Sequence, residues 1–100
     1  MKVAILNNGY LGMVRQWQEL FYKRRYSHVC ITSPDFVKLA ESYGAVGIRV
    51  TKKEEVKKAI EKAVSIDNTV FIDFVVEEEE NVFPMVPAGE AINRMIDGLA

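Results

Sequence analysis

Apolar positions along the chain change their spacing several times, and each change marks an element. Val3 to Leu6 is a short, partly β-branched apolar run that reads, with Lys2, as a buried strand. It stops at Asn7-Asn8-Gly9-Tyr10-Leu11-Gly12. Beyond that turn Met13, Val14, Trp17, Leu20 and Phe21 recur at helical spacing, with Arg15, Gln16, Gln18 and Glu19 facing elsewhere. Lys23, Arg24 and Arg25 close this helix, where cations suit the negative end of its dipole. Tyr26 to Thr32 has no period and reads as a loop. Ser33-Pro34 then predicts a helix start, with Ser33 as cap and Pro34 in the first helical position. Phe36, Leu39, Ala40 and Tyr43 form its apolar stripe, and Gly44 is its stop.

Val46 to Val50 predicts a second strand. Thr51-Lys52-Lys53-Glu54 has the form of a capping box and opens a third helix, with Val56, Ala59, Ile60, Ala63 and Val64 on its buried face. Asp67-Asn68-Thr69 makes a turn into Val70 to Val76, a third strand that is apolar but for Asp73. Strands without alternation are covered on both faces, as in parallel sheets. Residues 77–89 hold an acidic run, Glu77 to Glu80, and an irregular stretch with Pro84 and Pro87. Ala91 to Leu99, within the terminal residues 90–100, predicts a short helix. The order is β-α-α-β-α-β plus a C-terminal tail helix. It predicts one α/β domain over residues 1–100, a partial doubly wound (Rossmann-like) parallel sheet with right-handed crossovers.

Composition narrows the function classes. One hundred residues give one modest core, and 49% hydrophobic with 27% charged residues is ordinary for a globular protein. A net charge of −1 supplies no basic surplus to displace phosphate counterions, so no nucleic-acid partner is expected. No apolar stretch approaches the roughly 20 residues that cross a bilayer, so no membrane partner is expected. The single Cys30 forms no internal disulfide, which fits a reducing, cytoplasmic setting. A chain that opens directly in a core-type strand, without a signal-peptide region, is expected to be a piece of a longer one.

Candidate chemistry gathers in the first turn. Asn7 and Asn8 alone read as a turn pair, since Asn tolerates left-handed geometry. Gly9 and Gly12 flanking Tyr10-Leu11, directly before a helix N-terminus, add a second reading: an anion or metal-diphosphate seat. Amide and carbonyl oxygens are hard ligands of the kind magnesium takes, and glycine lets backbone approach closely. In open α/β sheets ligands collect outside the carboxyl ends of strands, where this turn would lie. Elsewhere the bland readings win. Trp17 reads as a core aromatic on its helix, His28 as a loop residue without a catalytic companion, and Glu77 to Glu80 as a solvated acidic loop. Lys52 to Lys62 is a solvated helix face with Glu–Lys pairs. Asp73 would be costly to bury alone and calls for a structural partner or an edge position.

Lys2 to Trp17 resembles the closing half of the thiamine-diphosphate binding motif, which begins with Gly-Asp-Gly and ends in Asn-Asn. More narrowly, Asn7-Asn8-Gly9-Tyr10-Leu11-Gly12-Met13-Val14-Arg15-Gln16-Trp17-Gln18 is similar to the acetolactate synthase (acetohydroxyacid synthase) large, catalytic subunits. So are Arg25-Tyr26-Ser27-His28, Pro34-Asp35-Phe36-Val37-Lys38-Leu39-Ala40-Glu41 and Val82-Phe83-Pro84-Met85-Val86. The likeness implies the carboxyl-terminal part of a cofactor-binding domain. It implies Asn8 as the amide ligand of a magnesium ion, Tyr10 as a backbone-carbonyl ligand, and Asn8, Gly9, Gly12 and Met13 near thiamine diphosphate. It further implies Met13, Val14 and Trp17 beside the 2-ketoacid substrates, with Trp17 favouring a larger acceptor. FAD, a second large subunit and a regulatory small subunit are expected in the parent enzyme, with FAD not bound by this segment. Gly-Asp-Gly is absent from the sequence, as is the glutamate that activates the aminopyrimidine, so the chain alone is expected to be inactive. Two other readings stay open here. One is a stand-alone phosphate- or nucleotide-binding module, although neither G-x-G-x-x-G nor a P-loop is present. The other is a self-associating interaction piece with exposed sheet edges.

Overall fold

The computed structural model describes residues 1–98. Its elements are strand β1 (Lys2–Asn7), helix α1 (Gly12–Phe21), helix α2 (Phe36–Ser42), strand β2 (Val46–Val50), a 3-10 turn at Lys53–Glu55, helix α3 (Val56–Ser65) and strand β3 (Val70–Val75). The three strands form one parallel sheet in the order β1-β3-β2. β1 lies against β3 from Lys2↔Val70 to Asn7↔Val75, and β2 against its other side from Val46↔Val70 to Val50↔Phe74. The α/β parallel architecture expected from the sequence is therefore present.

β3 is the central strand, and its two faces meet different helices. Val70, Ile72 and Phe74 join Val46, Ile48 and Val50 against Val56, Ala59, Ala63 and Ile66, and this is the apolar core. Val70 within it is 0% exposed. On the opposite face α2 lies so close over β2 that a Cβ on Gly47 would stand 2.7 Å from Val37 Cα. Only glycine permits that approach.

Several expected details differ. α2 is capped by Asp35, whose Oδ1 accepts from the Val37 and Lys38 N–H groups at 3.1 and 3.2 Å, and not by Ser33. Asp35 wins because the same carboxylate also receives Arg49. The third helix starts through the 3-10 turn without a side-chain cap, so the Thr51 capping box does not form. Ile60 and Val64 are exposed, as are Leu39 and Tyr43 of the second helical pattern. α3 covers β2 and β3 but not β1, and Leu6 on the bare part of that face is 74% exposed. Over 91–98 the chain makes turns and one antiparallel bridge, Met85↔Ile96, in place of the expected helix; Leu99 lies outside the described residues. Ile92 and Met95 are exposed there, so the segment has no apolar surface on which a helix of that length could be stabilised.

The largest departure is α1. Arg15, Gln16 and Glu19 are its buried residues, while Met13, Val14, Trp17 and Phe21 are exposed. The helix is turned round relative to the expectation. Among the described residues α1 has no extensive packing against the sheet; it is tied instead to residues 80–85. Accordingly the radius of gyration is 17.2 Å, against about 13 Å for a compact chain of this length.

Candidate functional site

The turn that leaves β1 is built from its own residues first. Asn8 Oδ1 accepts the Tyr10 N–H at 3.1 Å, which folds the chain back at once. Gly9 supplies the positive φ of 69° that the turn requires, with nothing near where a Cβ would stand. Gly12 has a different task, since a Cβ there would meet Asn8 Nδ2 at 3.2 Å. It leaves room for the Asn8 carboxamide. A short bridge between Tyr10 and Cys30 fixes the far side, through Leu11 N–H to Val29 O and Ile31 N–H to Gly9 O.

Asn7, Asn8 and Gly9 line a cavity of about 220 Å³ together with Val75, Val76 and Glu78. It lies beyond the carboxyl ends of β1 and β3, at the rim where open α/β sheets bind ligands. The asparagines therefore face this rim and not an apolar interior. Asn8 Oδ1 has one lone pair engaged by Tyr10, and the Tyr10 carbonyl accepts no backbone hydrogen bond among the described residues. The Asn8 carboxamide oxygen thus keeps a lone pair at the cavity wall, a hard donor of the kind magnesium accepts, whereas Tyr10 and Gly12 do not line the cavity. α1 follows with no side-chain cap at Leu11, whose own N–H goes to Val29 O. Among the described residues no cluster of three or more His, Cys, Asp or Glu forms a metal site of its own.

Asn7 has a second role. Its Nδ2 donates to Asp73 Oδ1 at 3.0 Å, Arg49 Nε donates to Asp73 Oδ2 at 3.1 Å, and Arg49 Nη2 donates to Asp35 Oδ1 at 2.7 Å. Asp73 is 2% exposed and has the structural partners that its setting in an apolar strand demands. The hydrogen bonds that Arg49 donates to Asp73 and to Asp35 raise its guanidinium further above its usual range. Asp35 is held below the usual carboxylate range, first by the Lys38 N–H and then by Arg49.

The remaining sequence candidates lie apart from the cavity. Met13, Val14 and Trp17 sit on the outward face of α1, with Trp17 51% exposed. They form an apolar wall beside the turn and do not line the cavity itself. His28 Nδ1 shares a hydrogen bond of 2.8 Å with Ser27 Oγ and lies in the loop after α1. Glu79 accepts from Tyr26 and Arg24 at 2.8 Å each. The sequence reading missed Val75, Val76 and Glu78. The available signal was that β3 ends beside β1 in a parallel sheet, so both carboxyl ends share one rim.

Under α1 a polar network replaces an apolar core. Arg15 donates to Glu19 at 2.7 Å and to Asn81 Oδ1, Gln16 exchanges bonds with the Val82 backbone at 2.8 and 2.9 Å, and Asn81 donates to Glu19 at 2.8 Å. Burial alone would push the Glu19 carboxyl up. Hydrogen bonds from Asn81 and Arg15, with the charge of Arg24, outweigh it and hold the group below its ordinary range.

Over residues 1–74 the chain matches the family described as thiamine pyrophosphate enzyme, C-terminal TPP binding domain. It is 55% identical over 97 residues to the acetolactate synthase large subunit of Corynebacterium glutamicum, covering 91% of this chain and 16% of that protein. With the acetolactate synthase large subunit of Haemophilus influenzae it shares 49% over 96 residues, covering 94% of this chain and 17% of that protein. Among solved structures, a thiamine diphosphate-dependent 4-hydroxybenzoylformate decarboxylase from Rhodococcus jostii RHA1 superimposes with a TM-score of 0.66 at 28% identity. That superposition covers 80% of this chain and 15% of the other. The chain spans about one sixth of the length of the curated relatives it matches.

Proposed function

The chain belongs to the C-terminal TPP-binding domain family of thiamine pyrophosphate enzymes, and from that premise we propose that it forms part of the cofactor domain of an acetolactate synthase large subunit. The parent enzyme, in this reading, condenses pyruvate with a second 2-ketoacid for branched-chain amino-acid synthesis. The observation that carries the reading is the position of Asn8 and Gly9 on a cavity wall at the strand rim. Identities of 55% and 49% to acetolactate synthase large subunits support this reaction over a stand-alone phosphate module.

Bound thiamine diphosphate supplies the electron sink for loss of CO2 from pyruvate. The protein residues bind and orient. Asn8 Oδ1 and the Tyr10 carbonyl would hold Mg2+, whose part is to template the diphosphate and not to activate water. Gly9 and Gly12 keep side chains out of the turn, and the uncapped start of α1, with Met13 at its head, would face the diphosphate. Met13, Val14 and Trp17 would form the apolar wall that receives the acceptor ketoacid. FAD, a second large subunit, a regulatory small subunit and a cytoplasmic location complete the proposal for the parent enzyme.

Two oxygens are a small share of an octahedral shell, so the chain alone is expected to bind Mg2+-thiamine diphosphate only weakly and to form no acetolactate. Calorimetric titration showing sub-micromolar binding would overturn that expectation. The reading itself is tested by exchanging this chain for the matching 97 residues of the Corynebacterium glutamicum large subunit. The chimera should form acetolactate and should need both Mg2+ and thiamine diphosphate. Asn8→Ala should raise its Mg2+ requirement by at least about tenfold. A folded chimera that binds no cofactor would sink the assignment.

A further inference from the structure

A buried carboxylate in the middle of a sheet is not stabilising in itself, because desolvation offsets most of the attraction to its partner. Yet Asp73 heads a chain of hydrogen bonds that crosses every strand: Asp35 at the start of α2, Arg49 on β2, Asp73 on β3 and Asn7 at the end of β1. These residues lie on the face of the sheet opposite the apolar core. The chain ends one residue before Asn8. Asn7 is the last residue of β1, and its carboxamide is anchored 3.0 Å from Asp73. The Asn7 carbonyl also accepts the Val76 N–H at 3.1 Å, so β3 holds Asn7 by backbone and by side chain directly before Asn8, whose carboxamide accepts the Tyr10 N–H beside the cavity.

We propose that Asp73, itself held by Arg49, is a positioning residue that sets the Asn8 turn through Asn7. Its consequence for metal binding rests on the proposed reading of Asn8 as a magnesium ligand; its consequence for the turn does not. The bond has a polarity that can be exchanged. Asn7→Asp alone sets two carboxylates face to face, and like charges at that range disfavour each other. Adding Asp73→Asn restores a donor: Asn at 73 gives its Nδ2 to the new carboxylate and keeps its Oδ1 for Arg49 Nε.

Amide hydrogen exchange on the 100-residue chain, with Asn7→Ala, Asn7→Asp and the Asn7→Asp/Asp73→Asn pair, tests the turn. Exchange at Tyr10 should speed up at least about tenfold in Asn7→Ala and, at pH 7, in Asn7→Asp, with Ile72 exchange unchanged; the pair should return it to the parent rate. Unchanged Tyr10 exchange in Asn7→Ala, or acceleration that spreads equally to Ile72, or a pair no better than Asn7→Asp, would each overturn the proposal. In the chimeric large subunit the apparent Mg2+ affinity, measured with thiamine diphosphate present, should fall about tenfold in Asn7→Ala and recover in the pair. A loosened turn beside an unaltered Mg2+ affinity would refute the metal reading of Asn8 while leaving the positioning of the turn in place.

Discussion

Around β3, Val70, Ile72 and Phe74 close over Ala59 and Ala63, whereas beneath α1 the buried side chains are Arg15, Gln16 and Glu19. The first assembly is held by the transfer of apolar area out of water, which needs no particular orientation of its parts. The second is held by charged and amide groups whose bonds exist only at set distances and angles. It ties two segments far apart in sequence, since Arg15 and Gln16 reach residues 80–82. A loss in the first should therefore unfold the sheet, while a loss in the second should release one segment and leave the sheet standing.

Ile72→Ala should have the largest effect, about 2–5 kcal/mol of global stability, read by chemical denaturation. Gly47→Ala comes next, at about 1–3 kcal/mol, because the new methyl meets the α2 backbone and Val37 must give way. If both instead left the sheet intact, the apolar assembly would not be what holds it. Arg15→Ala should leave the denaturation midpoint of the sheet nearly in place while raising protease cleavage between residues 79 and 85 by at least about tenfold. Acid should do the same by another route. Glu19 has a folded value below its unfolded one, so its contribution is fully present above the ordinary glutamate value of about 4.3 and is lost as pH falls through the lower folded value. Tryptophan and tyrosine fluorescence near α1 should then change before the far-ultraviolet signal of the sheet. Trp17→Ala should be smallest, within about 0.5 kcal/mol, because a half-exposed ring contributes little to folding. A larger loss would mean that α1 packs by its apolar face after all.

The strands and the existence of all three helices were legible in the order of apolar runs, since parallel strands leave near-continuous patterns; that β1 would stand open on one face was not. Nor was the orientation of α1. Spacing shows that Met13, Val14 and Trp17 share a side, but which side is covered depends on what lies opposite, and that is Glu80 and Val82 with their carbonyls and Asn81 with its amide. Asp73 announced that it needed partners; Asn7 and Arg49 could be named only once the strand order β1-β3-β2 was known. Ser33-Pro34 was a plausible helix start, yet Asp35 took the cap because its oxygen could serve two N–H groups and Arg49 together. The predicted terminal helix failed for want of a neighbour. At the candidate site the turn residues were readable from Asn and Gly chemistry, and Val75, Val76 and Glu78 were not, because they come to the cavity from the other end of the chain.

Asn7 and Asp73 meet across 66 positions of sequence. Among the described residues β1 pairs only with β3, and closing so long a loop is slow. The candidate ligand turn therefore cannot take its final anchorage on Asp73 until β3 has been made and docked beside β1, so the shape of the turn should be acquired late relative to its own synthesis.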